Sequence, residues 1–194
     1  EMGGKNPCII WDDADLNLAL GGVVKGAFGS TGQRCTATSR LVLHEKIASR
    51  FIEMVLAEAK KIKLGNGLDP EVGMGPLVDS RQLETVMNYI EIGKKEGARL
   101  LLGGGKPQGA AYQNGYFVEP TVFGGVISSM RIFQEEIFGP VLTLTTVKTF
   151  EEAVATANGV RFGLTSAVYT QDLTLAMRFV EDLQVGMVHV NSPT

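Results

Sequence analysis

Apolar positions along this chain follow two rhythms. Short, nearly continuous runs at Cys8 to Trp11, Ser39 to Leu43, Ala98 to Leu102, Val141 to Val147, Thr165 to Thr170 and Met187 to Asn191 read as buried strands. Between them the apolar residues recur at helical spacing. Asp12-Asp13-Ala14-Asp15 supplies an N-cap and an acidic first turn for a helix whose apolar side carries Leu16, Leu20, Val23, Val24 and Ala27. A second helix, from about Lys46 to Ile62, buries Ile47, Phe51, Val55 and Ile62. Asp79 caps a third, with Leu83, Val86, Met87 and Ile90 as its stripe. Phe150 to Asn158 and Asp172 to Leu183 are two more helices, the latter capped by Asp172. Tyr116 to Phe123 is aromatic and β-branched but broken by Pro120, which predicts two short edge strands. Glycines and prolines between Gly65 and Pro76 mark a long connection made of turns. The alternation predicts an α/β fold with a parallel or mostly parallel sheet. The pattern does not reveal strand order.

Composition narrows the function classes. The 194 residues suit one domain of ordinary size or one large lobe of a bigger protein. Net charge is −3 with the signs mixed, and no basic stripe appears, so no nucleic-acid partner is expected. The longest apolar runs, such as Val185 to Val190, are far too short to span a membrane. Two cysteines, Cys8 and Cys35, make no disulfide framework, and with no secretory signal a reducing, cytoplasmic setting is expected. His44 and His189 are far from each other and from any cysteine pair, which argues against a zinc site. The chain opens at Glu1 just before a glycine pair and stops just after a strand-like run, as expected of a piece of a longer protein.

The turn from Gly29 to Thr36 is the most informative place. It presents Cys35 just before a strand, where free backbone N–H groups can converge on an oxyanion. Arg34 and the local peptide dipoles would favour thiolate over thiol. An isolated cysteine is nevertheless more often a small core residue. Cys8, inside a strand-like run, reads as core, and His44, at a strand end, as a surface residue. A Cys35–His44 hydrolase pair is a further reading, and it needs the two within hydrogen-bonding reach.

A run Glu1-Met2-Gly3-Gly4-Lys5-Asn6-Pro7 stands ahead of Gly32-Gln33-Arg34-Cys35-Thr36, with Glu1 and Cys35 separated by 34 positions. These segments resemble the two signature segments of the aldehyde dehydrogenase superfamily. Gly115-Tyr116-Phe117-Val118-Glu119-Pro120-Thr121, Glu135-Glu136-Ile137-Phe138-Gly139-Pro140-Val141, Phe162-Gly163-Leu164 and Val190-Asn191 resemble further segments, in the same order, across essentially the whole chain.

The resemblance implies a three-layer catalytic domain over residues 1–194, a mostly parallel sheet with helices on both faces. The cofactor-binding domain and the oligomerisation segment would lie outside the chain. It implies Cys35 as the nucleophile toward an aldehyde, Glu1 as the base that activates water, and Glu136 and Phe138 as contacts of the nicotinamide ribose of NAD or NADP. Lys5 and Pro7 would shape the turn. Against this, Glu135 and Glu136 also fit an ordinary acidic cap, with Phe138 in the core. Arg34 resembles the subset that oxidises aldehydes bearing a carboxylate or phosphate, and the run through Thr38-Ser39-Arg40 looks most like the ketoglutarate-semialdehyde type. Arg34 pairing with a local acid or facing solvent is the alternative. The expected activity is NAD(P)-dependent oxidation of a small, possibly anionic aldehyde to an acid, by a full-length homo-oligomer of which this chain alone is inactive. A coenzyme A-acylating relative and a catalytically silent structural relative are the competing expectations.

Overall fold

The computed structural model describes residues 2–194, so Glu1 and the role expected of it lie outside the described residues. Strands β1 (Asn6–Ile10), β2 (Thr38–His44), β3 (Arg99–Leu102), β4 (Thr121–Gly124), β5 (Val141–Val147), β6 (Thr165–Tyr169) and β7 (Met187–Val190) form one seven-stranded sheet. Its order is β3-β4-β5-β2-β1-β6-β7, and every neighbouring pair is parallel except β3–β4.

Every residue of β1 is buried because helices cover both faces of the sheet, the usual condition of parallel strands. Side chains alternate across it. Cys8, Ile10, Leu41 and Leu43 point to the face covered by α1 (Leu16–Phe28) and α2 (Glu45–Ala59). Ile9, Val42 and Val168 meet α5 (Phe150–Asn158) and α6 (Leu173–Asp182) on the other. There, α3 (Ser80–Lys95) and α4 (Arg131–Gln134) also cover Phe123 and Val141. The architecture is thus the expected three-layer α/β arrangement.

The expected caps at Asp79 and Asp172 accept N–H bonds from Gln82 (2.8 Å) and from Thr174 and Leu175 (2.8 and 3.1 Å). The acidic run after β1 is divided among three tasks. Asp15 caps α1, Asp12 pairs with Lys46 at 2.7 Å, and Asp13 accepts from the Thr170 hydroxyl (2.7 Å) and the Asp172 N–H (2.9 Å). Two expectations differ from what is found. The Tyr116–Phe123 stretch forms one strand, β4, which lies inside the sheet between β3 and β5. Pro120 falls just before it, where a missing N–H removes no ladder bond. The second helix ends at Ala59 because Lys61 and Ile62 turn back to the carbonyls of Glu58 and Ala59.

One charged side chain crosses the buried face. Arg40 on β2 is 1% exposed, and burial presses against its charge. Its guanidinium donates to the carbonyls of Lys5 (2.8 Å), Thr156 (2.8 Å) and Ala157 (2.7 Å) and lies 4.8 Å over the Phe133 ring. These partners keep it an arginine cation, joining the entry of β1 to the C-terminal end of α5. Among the described residues no helix is long and apolar enough to cross a membrane, and no group of three or more side chains is placed to hold a metal ion. Replacing Arg40 by leucine leaves three buried carbonyls without donors. Urea unfolding is expected to show a loss on the order of 3 kcal/mol or more.

Candidate active site

The site begins where α1 stops. Beyond Phe28 the backbone enters a 3-10 turn, Gly29–Gly32, in which Ser30 (φ 53°) and Thr31 (φ 59°) hold left-handed conformations. Such non-glycine positions cost of order 1–3 kcal/mol each and persist only where the surroundings enforce them. Here the Thr31 hydroxyl donates to Gly75 O (3.1 Å), and the Val78 N–H donates to the Gln33 side chain (2.9 Å). The turn delivers Cys35 exposed, whereas Cys8 is sealed in the core, where burial pushes its thiol pKa far up.

The strand entry from Gly3 to Asn6 passes directly beside this turn. Asn6, buried at the start of β1, donates its amide to Cys35 O (2.8 Å) and Ala37 O (2.9 Å). Gly4 approaches so closely that a Cβ there would overlap the Cys35 carbonyl oxygen. On its other side the Gly4 N–H donates to Glu136 Oε1 at 3.0 Å. Gly32, at φ +67°, comes equally close to the Gly139 carbonyl. Three segments far apart in sequence, around Gly4, Cys35 and Glu136, are therefore one structure.

Glu136 borders a cleft of about 560 Å³ lined by Gly3, Glu135, Glu136, Arg161 and Phe162 among others. Phe138 follows at φ 55°, and the residue is 37% exposed rather than in the core. Gln82 on α3 holds that turn by donating to Ile137 O (2.9 Å) and Phe138 O (2.8 Å). The two adjacent glutamates have different surroundings. Glu135 is engaged by Arg131 (2.9 Å) and by the Tyr89 hydroxyl (2.6 Å), which hold its pKa down to about 2. Glu136 instead faces the glycine pair.

Among the described residues Arg34 pairs with no acid, and it does not project fully into solvent. It is half-buried, with Nη2 directed at Gly26 O (3.4 Å) and Nε without a partner, on the rim of a pocket shared with Glu136 and Phe138. His44 is a correction: expected on the surface, it is 5% exposed. Its ring packs edge-on against Trp11 (4.7 Å), and Nδ1 accepts the Lys46 N–H (3.3 Å) to cap α2. It sits at the far end of β2 from Cys35. Seven residues at ~3.3 Å each put roughly 20 Å between them, which removes the Cys–His hydrolase pair.

Lys5 does more than shape the turn. Its side chain is 1% exposed and its ammonium has no partner among the described residues. Burial, then the Arg40 charge, lower its pKa to about 7, with Glu136 and Glu135 opposing. Sequence reasoning gave no role to Asn6, Gln82 or Arg40. Asn6 and Arg40 stood inside quoted runs, but Gln82 had no local signal, because it acts on backbone distant in sequence.

The sequence model of the aldehyde dehydrogenase family matches residues 1–194. The chain is 48% identical over 192 residues to an alpha-ketoglutaric semialdehyde dehydrogenase of Bacillus subtilis, covering 99% of this chain and 39% of that protein. A betaine aldehyde dehydrogenase of Mesorhizobium japonicum is 46% identical over 192 residues, with 99% and 39% covered. Among solved structures, betaine aldehyde dehydrogenase of Staphylococcus aureus in complex with NAD+ superposes with a TM-score of 0.98 at 40% identity, covering 100% of this chain and 38% of that one. The same protein has also been solved with a BME-modified cysteine. The chain thus spans about two fifths of the length of these relatives.

Two outcomes follow from the geometry. Iodoacetamide at neutral pH is expected to label Cys35 much faster than Cys8, read by peptide mass spectrometry; equal slow labelling would count against an available nucleophile. Native Lys5 gives up its proton near pH 7, while an unfolded lysine keeps it to about 10.5. Between these values the unfolded chain binds the extra proton, so stability rises with pH across that window. Urea midpoints are expected to increase from neutral to alkaline pH as far as this group is concerned, and to increase less in Lys5→Met.

Proposed function

The chain belongs to the aldehyde dehydrogenase family, and on that premise we propose that it is the nucleophile-bearing catalytic domain, residues 1–194, of an NAD(P)-dependent enzyme that oxidises an aldehyde to a free acid. One observation carries the reading. The Gly3-Gly4 segment lies against the Cys35 carbonyl and also donates to Glu136, so nucleophile and cofactor carboxylate share one frame.

In this reading the Cys35 thiolate attacks the aldehyde carbonyl to give a thiohemiacetal, and loss of hydride leaves a thioester. Asn6 occupies the Cys35 and Ala37 carbonyls as acceptors, and stabilisation of the developing oxyanion falls to backbone N–H groups of the turn. Glu1 takes a proton from the water that hydrolyses the thioester. The residues present fit a nicotinamide nucleotide. Glu136 commits Oε1 to Gly4 and has Oε2 to accept from ribose hydroxyls, while the exposed Phe138 ring offers a face to that ribose. The bound dinucleotide supplies the hydride acceptor. The BME-modified cysteine of the Staphylococcus aureus relative is thiol chemistry that suits exposed Cys35 rather than enclosed Cys8.

Arg34, half-buried on the rim of the pocket beside Glu136, is the candidate for substrate choice. Similarity to semialdehyde dehydrogenases at 48% and 45% identity supports an aldehyde carrying an anionic group. Most of the cofactor site and the contacts of a homo-oligomer lie in other parts of the cytoplasmic enzyme, so the domain alone is inactive. The test uses the full-length enzyme with an aldehyde panel and NAD or NADP. Cys35→Ala is expected to abolish reduced-cofactor formation. Glu1→Gln keeps a first-turnover burst but slows steady acid release by roughly 10²–10⁴-fold. Undiminished turnover in Cys35→Ala would sink the reading.

A further inference from the structure

Of the side chains that line the Glu136 cleft, one is cationic: Arg161, in the connection between α5 and β6. It is exposed, and it enters no ion pair among the described residues. Its guanidinium lies instead over the ring of Phe162, 5.2 Å from the centroid. The other arginine near this wall, Arg131, is spent on Glu135 through Nε and Nη2, each at 2.9 Å.

The connection that carries Arg161 is held at both ends. From α4 the Gln134 amide donates to Gly159 O (2.8 Å), and beyond Phe162 the Gly163 carbonyl accepts the Gly186 N–H (2.9 Å) just before β7. Phe162 also stands against the entry of β1. A Cβ on Gly3 would lie 2.6 Å from Glu136 Oε2 and 3.0 Å from Phe162 Cε1. The ring under Arg161 is therefore a neighbour of the Glu136 carboxylate, across a gap that only a glycine leaves open. A guanidinium seated on a ring held in this way gives up less freedom when it takes an anion.

Glu136 itself stands between two spaces. One is the pocket beside the Cys35 turn, shared with Gly32, Arg34 and Phe138. The other is the cleft of about 560 Å³ that holds Arg161. A nicotinamide ribose whose hydroxyls rest on Glu136 carries two further groups. The nicotinamide has to reach the Cys35 side to accept hydride, which leaves the diphosphate to the Arg161 side. Phosphate oxygens are the acceptors that a guanidinium fork matches best.

We propose that Arg161 is a phosphate-binding residue of the nucleotide site: seated on Phe162, its guanidinium takes the diphosphate attached to the ribose that Glu136 holds. The inference rests on reading Glu136 as a ribose ligand. It gives this domain its own hold on the phosphates of the nucleotide, besides its hold on the ribose.

The test titrates the full-length enzyme with NADH, followed by nucleotide fluorescence, at low and high salt. Arg161→Met keeps an unbranched stem over Phe162 and removes the charge. It is expected to raise the dissociation constant roughly ten- to a hundredfold at low salt, and Arg161→Lys to raise it less. Binding to Arg161→Met is also expected to depend less on salt, because one contact between charges is gone, while the melting temperature stays at the wild-type value. Wild-type affinity and salt dependence in Arg161→Met overturn the proposal. So does a raised KM for an anionic aldehyde with nucleotide affinity unchanged, which would make Arg161 a substrate contact. Glu136→Gln, measured alongside, separates the two readings. If it leaves the dissociation constant in place while Arg161→Met raises it, the ribose assignment fails and the phosphate assignment stands. If Glu136→Gln alone raises it, only the phosphate assignment fails.

Discussion

Backbone contact between the entry of β1 and the turn bearing Cys35 is the constraint on which the rest of this structure depends. It exists because Gly4 has no side chain: any Cβ there would overlap the Cys35 carbonyl oxygen. Once the two backbones lie together, Asn6 can reach both Cys35 O and Ala37 O, and the Gly4 N–H is free to point the other way, toward Glu136. Each contact fixes a different element. The β1–β2 pairing sets the height of the cysteine above the sheet, and the link to Glu136 brings in the segment between α4 and β5. The left-handed turn at Ser30 and Thr31 is tolerable in this setting because Gly75 and Val78 brace it from outside.

Charge is handled differently at the entry of β1 and on its neighbour β2. Arg40 is as buried as Lys5, yet its planar fork finds three carbonyls and an aromatic face, so its charge is retained and structural. Among the described residues the Lys5 ammonium finds no acceptor, and burial lowers its pKa to about 7. Glu135 and Glu136 both line the wall of the nearby cleft. The neighbouring Glu135, held ionised by Arg131 and Tyr89, keeps that wall in place without competing for the same role.

The layering of the fold was legible along the chain. Doubly buried runs such as Cys8–Ile10 and Leu41–Leu43 needed helices on both faces, and Asp79 and Asp172 announced two helix starts. Cys35, Glu136 and Phe138 were singled out through the ordered motifs, and the structure sets the Cys35 carbonyl and the Glu136 carboxylate on either side of Gly4. His44 misled because a histidine at a strand end looks solvated. Its burial depends on Trp11, a neighbour supplied by β1, and on its service as a cap to α2. Pro120 misled for a related reason. It suggested an edge, but it precedes β4, whose place inside the sheet is decided by β3 and β5.

By itself, then, the sequence determined what is local or periodic: the alternation of strands and helices, their caps, and the residue types that chemistry requires in a glycine-rich turn. Tertiary structure alone decided strand order, the loss of any Cys35–His44 pair, the bracing by Gln82 and Asn6, and the burial of Arg40 and Lys5. The physical reason is that these depend on which backbone carbonyls and charges come within a few ångströms across separations of tens of residues or more. A side chain's period or propensity carries no record of that. Lys5 shows it most plainly, for a lysine between glycine and asparagine gives no sign that folding will enclose it.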